Sequence, residues 1–157
     1  MKTLYQVLLV AALASAAPLH ELASQPQATR PAVEFFNSPE GEKLDVPFSE
    51  AVRVGDAVYA VAIGITPGTF TIVPGGIEAE TKQTLENLRR ILERSGTSMD
   101  RVVKCTVMMA DMKEWSRMNA VYATYFKQPY PVRAAFGVTG LALGARVEIE
   151  CIATVAE

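Results

Sequence analysis

Arg133 stands in the segment Pro129-Tyr130-Pro131-Val132-Arg133-Ala134-Ala135, and its surroundings suit chemistry on a small organic anion. In an extended strand successive side chains alternate, so Arg133 shares a face with Ala135 and Gly137 while Val132, Ala134 and Phe136 point away. A guanidinium flanked by small residues has room beside it for a carboxylate, which its planar fork can grip through two parallel hydrogen bonds. On the last strand expected from the sequence, Arg146, Glu148 and Glu150 share one face, opposite Val147, Ile149 and Cys151. If that strand lies near Arg133, an acid is available to the bound anion, although spacing alone favours an ordinary ion pair or a solvated charge ladder. Asn119, inside an expected helix where its propensity is low, is a further polar candidate.

Other chemistries are restricted by the single histidine, His20, which falls in a Pro-rich stretch ahead of the expected domain. Ser-His-Asp and Cys-His hydrolysis therefore lack their base. Zinc sites lack nitrogen ligands, and the two cysteines form no C-x-x-C clip. Neither a P-loop nor a G-x-G-x-x-G motif is present. An enzyme built on this chain is expected to use carboxylates, arginine, hydroxyls and water.

Strands and helices must hold those residues. Val33 to Phe36 reads as a short strand, and Ser49 to Val54, Gly55-Asp56 and Ala57 to Ile65 read as a hairpin with glycine in its turn. After Pro74-Gly75-Gly76, which reads as a plain turn, Ile77, Leu85, Leu88 and Leu92 recur at helical spacing, and Gly96 suits the left-handed position past the last turn. Val102 to Ala110 is a β-branched, apolar strand, and Asp111 with Glu114 forms a capping-box pattern for a second helix. On that helix Trp115, Met118, Tyr122, Tyr125 and Phe126 mark a core-facing stripe. Strands Val132 to Val138 and Ala145 to Val155 complete an α+β fold, a mixed sheet with both helices on one face.

With 157 residues, 50% of them hydrophobic, the chain supports one ordinary core. Met1-Lys2, the apolar run Val7 to Ala14 and the small residues Ala14 to Ala17 read as a signal peptide cut after Ala16. That run is well short of the roughly 20 residues that cross a bilayer, so no membrane association is expected after cleavage. Residues 17–32 read as a flexible tether and 33–157 as the domain, placed in the periplasm or outside the cell. Loss of residues 1–16 removes Lys2 and no acid, leaving 14 basic against 17 acidic side chains, a balance of −3. Basic residues are scattered rather than striped, so nucleic acid is not an expected partner. Cys105 and Cys151 could bridge in an oxidising compartment, but two buried thiols are the favoured expectation because free cysteine packs as a small hydrophobe.

The segments PFSEAVRVGDAVY (47–59), PGGIEAETKQTLENLRRILERSG (74–96), VVKCTVMMADMKEWSRMNAVYATYF (102–126) and PYPVRAAFGVTGLALGARVEIECIA (129–153) resemble the RidA/YjgF-like family of reactive-intermediate deaminases. The resemblance spans nearly the whole domain and includes the P-x-R segment and the V-E-I-E strand. It implies a chorismate-mutase-like α+β fold, a six-stranded mixed sheet with two helices packed on one face. It also implies a homotrimer with ligand clefts between subunits. The implied activity is cofactor-free hydrolysis of 2-aminoacrylate-like enamines and imines to 2-oxo acids and ammonia. By resemblance Arg133 holds the substrate carboxylate, Glu148 positions or deprotonates the attacking water, and Asn119, Phe48 and Ala135 line the cleft. The chain departs from the family where Ala60-Val61-Ala62 replaces a common Ser-Gly-Gln, where Phe48 replaces an aromatic hydroxyl, and where Ala135 replaces the cysteine of some members. These changes make the pocket more apolar, which suggests an altered or bulkier substrate, or a second function, non-catalytic binding of small carboxylic acids such as 2-oxo acids. A ribonuclease activity, known for some relatives, fits poorly with the acidic balance.

Overall fold

The computed structural model describes residues 30–155. The expected signal peptide, His20 and most of the expected tether lie outside the described residues, and a compact unit begins at Pro31.

Strands β1 (Val33–Phe36), β2 (Ala51–Val54) and β3 (Ala57–Ile63) form an antiparallel meander, with a four-residue helix α1 (Pro39–Glu42) between the first two. Gly55 opens the β2–β3 turn at φ 57°, a conformation that costs glycine nothing and L side chains something. Helix α2 (Gly76–Arg94) precedes β4 (Val102–Met109), and helix α3 (Trp115–Tyr122) precedes β5 (Val132–Gly137) and β6 (Val147–Thr154). The sheet order is β1-β2-β3-β6-β4-β5, with β4 and β5 the one parallel pair among the described strands. A parallel pair needs a crossover, and α3 provides it.

The α2 stripe read from the sequence is buried: Ile77, Leu85, Leu88 and Leu92 are fully enclosed. The helix ends as expected, with Gly96 at φ 81°. Thr97 N–H donates to the Leu92 carbonyl at 3.0 Å and Gly96 N–H to that of Glu93 at 3.2 Å, which satisfies the last-turn acceptors. Beneath α2 lie Val58 and Ala60 of β3, Cys105, Val107 and Met109 of β4, and Val147, Ile149, Cys151 and Ala153 of β6. Their alternation puts Tyr59, Val61, Ile63, Thr106, Met108, Glu148, Glu150 and Ile152 on the opposite face, where all are exposed or half-buried. The expected α+β architecture of six strands is therefore present, with one face of the sheet enclosed and the other open.

Three expectations need correction. Cys105 and Cys151 are buried as expected, but they are bonded to each other rather than free. They sit directly opposite in the antiparallel β4–β6 register with Cα atoms 4.2 Å apart, so their side chains leave the sheet side by side. The second helix is shorter than its apolar stripe: α3 stops at Tyr122 and tightens into a 3-10 turn, Ala123–Tyr125. Asp111 caps by accepting from Lys113 N–H at 2.9 Å, but Glu114 does not close the capping box, because its carboxylate is taken by Arg117 and Arg146.

Candidate active site

Arg133 pairs in register with Cys105, so its side chain leaves the sheet on the helix-covered side at the outer strand β5. Its guanidinium carbon lies 4.6 Å from the centroid of the Tyr122 ring and 5.8 Å from that of Trp115. Both rings stand on α3, two turns apart on one stripe, and the half-buried Asn119 falls between them on the same stripe. Trp115 thus leaves the expected core stripe, 37% exposed, and serves as a platform for the cation, whereas Met118 and Tyr122 are buried as expected. Burial pushes the Tyr122 phenol up to about 12 against the opposing pull of Arg133, so a neutral ring faces the guanidinium at every physiological pH. Among the described residues no carboxylate forms a salt bridge with Arg133. The cation is held by ring faces that occupy none of its N–H donors, and the small half-buried Ala135 follows it on the same side of β5.

Glu148 is placed differently. It pairs with Ile63 of β3 and Met108 of β4, and Met108 in turn pairs with Phe136 of β5. Glu148 therefore faces the open side of the sheet while Arg133 faces the helix side, with β4 between their strands. Within one chain the acid and the arginine expected to cooperate are not brought together. The cause is parity: Phe136, in line with Glu148, is three residues from Arg133, an odd number that places the two on opposite faces. Burial, and secondarily the like charge of Glu150, push the Glu148 carboxyl above the usual carboxylate range.

Glu148 and Phe48 line one cavity of about 580 Å³. Its walls come from residues 37–50, which include α1, from the end of β3 and the turn after it, from Asn87, Arg90, Ile91 and Arg94 of α2, and from Ala142-Leu143. Glu50 fixes the first of these walls: its carboxylate accepts from Ser38 N–H at 2.6 Å and Ser38 Oγ at 2.9 Å, and it pairs with Arg94 of α2 at 2.6 Å. Arg133, Asn119 and Ala135 do not border this cavity.

Arg146, expected beside Glu148 on one strand face, precedes β6 and turns toward the helices. Its guanidinium meets both Glu114 oxygens at 3.0 Å and Glu80 at 3.5 Å, and its N–H donates to Glu80 at 2.8 Å. These two buried acids are structural partners of Arg146, and sequence spacing carried no signal for contacts 66 and 32 residues apart. Sequence reasoning also missed the ring platform under Arg133, and the more apolar pocket that it expected with Arg133 lies instead beside Glu148. Among the described residues no group of three His, Cys, Asp or Glu side chains is arranged to hold a metal ion, and no helix is long and apolar enough to cross a membrane.

Residues 41–155 match the family model described as Endoribonuclease L-PSP. The chain is 44% identical over 108 residues to a mouse protein named 2-iminobutanoate/2-iminopropanoate deaminase, a match covering 68% of this chain and 80% of the relative. A crystal structure of RidA from an Antarctic Psychrobacter superposes with a TM-score of 0.67 at 36% identity, covering 71% of this chain and 90% of that one. A Rid family protein from Yersinia pestis gives 0.73 at 35% identity, over 79% and 100% of the two chains. With the sheet order, the helix positions and the sequence match in agreement, the chain belongs to the RidA/YjgF family.

Proposed function

We propose that this protein hydrolyses reactive 2-imino acids, and the enamines that tautomerise to them, to 2-oxo acids and ammonia. The observation that carries the reading is the pair of complementary half-sites: on one side of the sheet an arginine that pairs with no carboxylate among the described residues, and on the other an acid of raised pKa in a cavity. Two copies of the chain are needed to make one whole site, Arg133, Asn119 and Ala135 from one copy and Glu148 and Phe48 from its neighbour. The half-exposed apolar residues Val61, Ile63, Met108 and Ile152 around Glu148 are suited to burial between copies, and a homotrimer closes such an arrangement. The identity to named imine deaminases favours turnover over non-catalytic acid binding.

In this reading Arg133 grips the substrate carboxylate with two N–H donors, which orients the C=N bond toward the neighbour's Glu148. The ionised Glu148 takes a proton from water as the water oxygen bonds to the imine carbon, and delivers that proton to the imine nitrogen to give the neutral carbinolamine. Glu148 then takes the hydroxyl proton and passes it to the amino group as the C–N bond breaks, so ammonia leaves with the 2-oxo acid and the carboxylate is regenerated. A carboxyl held above its usual range is a better base than an ordinary glutamate, and the imine is already electrophilic, so no stronger nucleophile is required. Residues 1–16 direct export in this account, and the mature protein works in the periplasm or outside the cell, where the Cys105–Cys151 bond is compatible with the redox environment.

The test supplies purified protein with 2-aminoacrylate generated from serine by a lyase and follows pyruvate formation beside a semicarbazide trap. Accelerated pyruvate release and diminished trapping are expected; release at the uncatalysed rate refutes the reading.

A further inference from the structure

The cavity beside Glu148 is far larger than a three-carbon imino acid requires. At about 580 Å³ it lies in the range, roughly 300–1,000 Å³, of pockets that enclose drug-sized molecules. Its lining is dominated by Leu44, Val46, Phe48, Ile65, Phe70 and Leu143. Phe48, Phe70 and Leu143 are 61%, 52% and 51% exposed, an arrangement that leaves apolar surface in water until something covers it. The charged residues on the wall do not change this character. Arg94 is neutralised by Glu50 at 2.6 Å, Arg90 and Glu40 are exposed, and burial pushes the Glu148 carboxyl up.

We infer that the protein is selective for 2-imino acids with bulky apolar side chains, aromatic or long aliphatic, whose side chain fills this cavity while the imine carbon stays at Glu148. The inference rests on the deaminase reading and narrows it to a substrate class. The carboxylate and imine are common to every 2-imino acid, so the energy that distinguishes substrates comes from the side chain. Each buried methylene is worth about 0.8 kcal/mol, roughly four-fold in binding. A small methyl group leaves the cavity wet and gains nothing from its walls. Phe48 is central, because its ring offers apolar area and no hydroxyl that would need a partner.

The experiment generates imines from phenylalanine, leucine and alanine with an amino-acid oxidase and compares kcat/KM for the purified mature protein. The phenylalanine and leucine imines are expected to exceed the alanine imine at least ten-fold, and Val46→Trp, which fills the cavity, should reduce that ratio five-fold or more. Equal turnover of all three, or preference for the alanine imine, overturns the inference and leaves the deaminase reading intact. Acceleration of none overturns both. A ratio unchanged in Val46→Trp, with folding verified by circular dichroism, also overturns it, because the side chain then binds elsewhere.

Discussion

The Cys105–Cys151 bond joins residues 46 apart in sequence, and that separation sets its expected contribution. In the chain-entropy account a cross-link stabilises by restricting the unfolded chain, by about 3 kcal/mol for a 15-residue loop and about 4.7 for 100 residues, so a loop of this size contributes about 4 kcal/mol. For a domain of this length that corresponds to a melting-temperature change of about 15 °C. Both cysteines are fully buried, so native protein resists reductant and must be reduced in denaturant before refolding. Oxidised and reduced samples of the same sequence are then melted side by side, which avoids the cavity that an alanine variant would leave. Oxidised protein is expected to melt some 15 °C higher. Coincident melting curves, or two titratable thiols per chain in denatured unreduced protein, would refute the cross-strand bond and the register that creates it.

The raised carboxyl of Glu148 gives a pH-dependent prediction with a definite sign. Because the folded state holds that proton more tightly than the unfolded state, ionisation destabilises the fold, fully above the folded pKa and not at all below the unfolded value near 4.5. Glu148→Gln should therefore raise the melting temperature at pH 7 and leave it unchanged at pH 4, while lowering imine turnover at least about 100-fold; unaltered turnover contradicts its role as base. Arg133→Ala should cost about 2–4 kcal/mol of transition-state binding, roughly 30- to 1,000-fold in kcat/KM, through loss of two charge-assisted hydrogen bonds. Binding of a 2-oxo acid followed by calorimetry should disappear in the same variant, and retained binding would exclude Arg133 as the anchor. Glu80→Ala strips the Arg146 N–H of its acceptor at 2.8 Å and should destabilise the domain by about 1–3 kcal/mol in urea unfolding, whereas an unchanged midpoint would show that water replaces the carboxylate.

Much of the fold was legible because its signals are local. The α2 stripe, the Gly96 terminus, the Gly55 turn and the alternation of β4 and β6 each depend on neighbours within a few residues, and the structure follows them. What could not be read was set by strand order and register. Parity along β5 correctly grouped Arg133 with Ala135 and Gly137, but only the β4–β5 and β4–β6 registers show that this side lies opposite Glu148. The same registers place Cys105 across from Cys151, a proximity that burial of each cysteine alone did not reveal. The helical spacing of Trp115 points it to the core, yet α3 lies at the sheet's outer strand, where this ring meets Arg133 instead of the interior. The cavity beside Glu148 draws on four separate stretches of chain, so no single segment carried its signature.

Because the acid and the arginine project from opposite faces of one sheet, two inactive variants should repair each other when mixed. Arg133→Ala and Glu148→Gln chains are unfolded together, refolded at a one-to-one ratio and assayed for hydrolysis of an enzymatically generated imine. Each alone should be nearly inactive. In a closed ring of randomly mixed chains, about one interface in four receives an intact arginine from one copy and an intact acid from the next, so about a quarter of the unmutated activity should return. No recovery from a mixture verified to contain both chains in one assembly would contradict a site shared between copies.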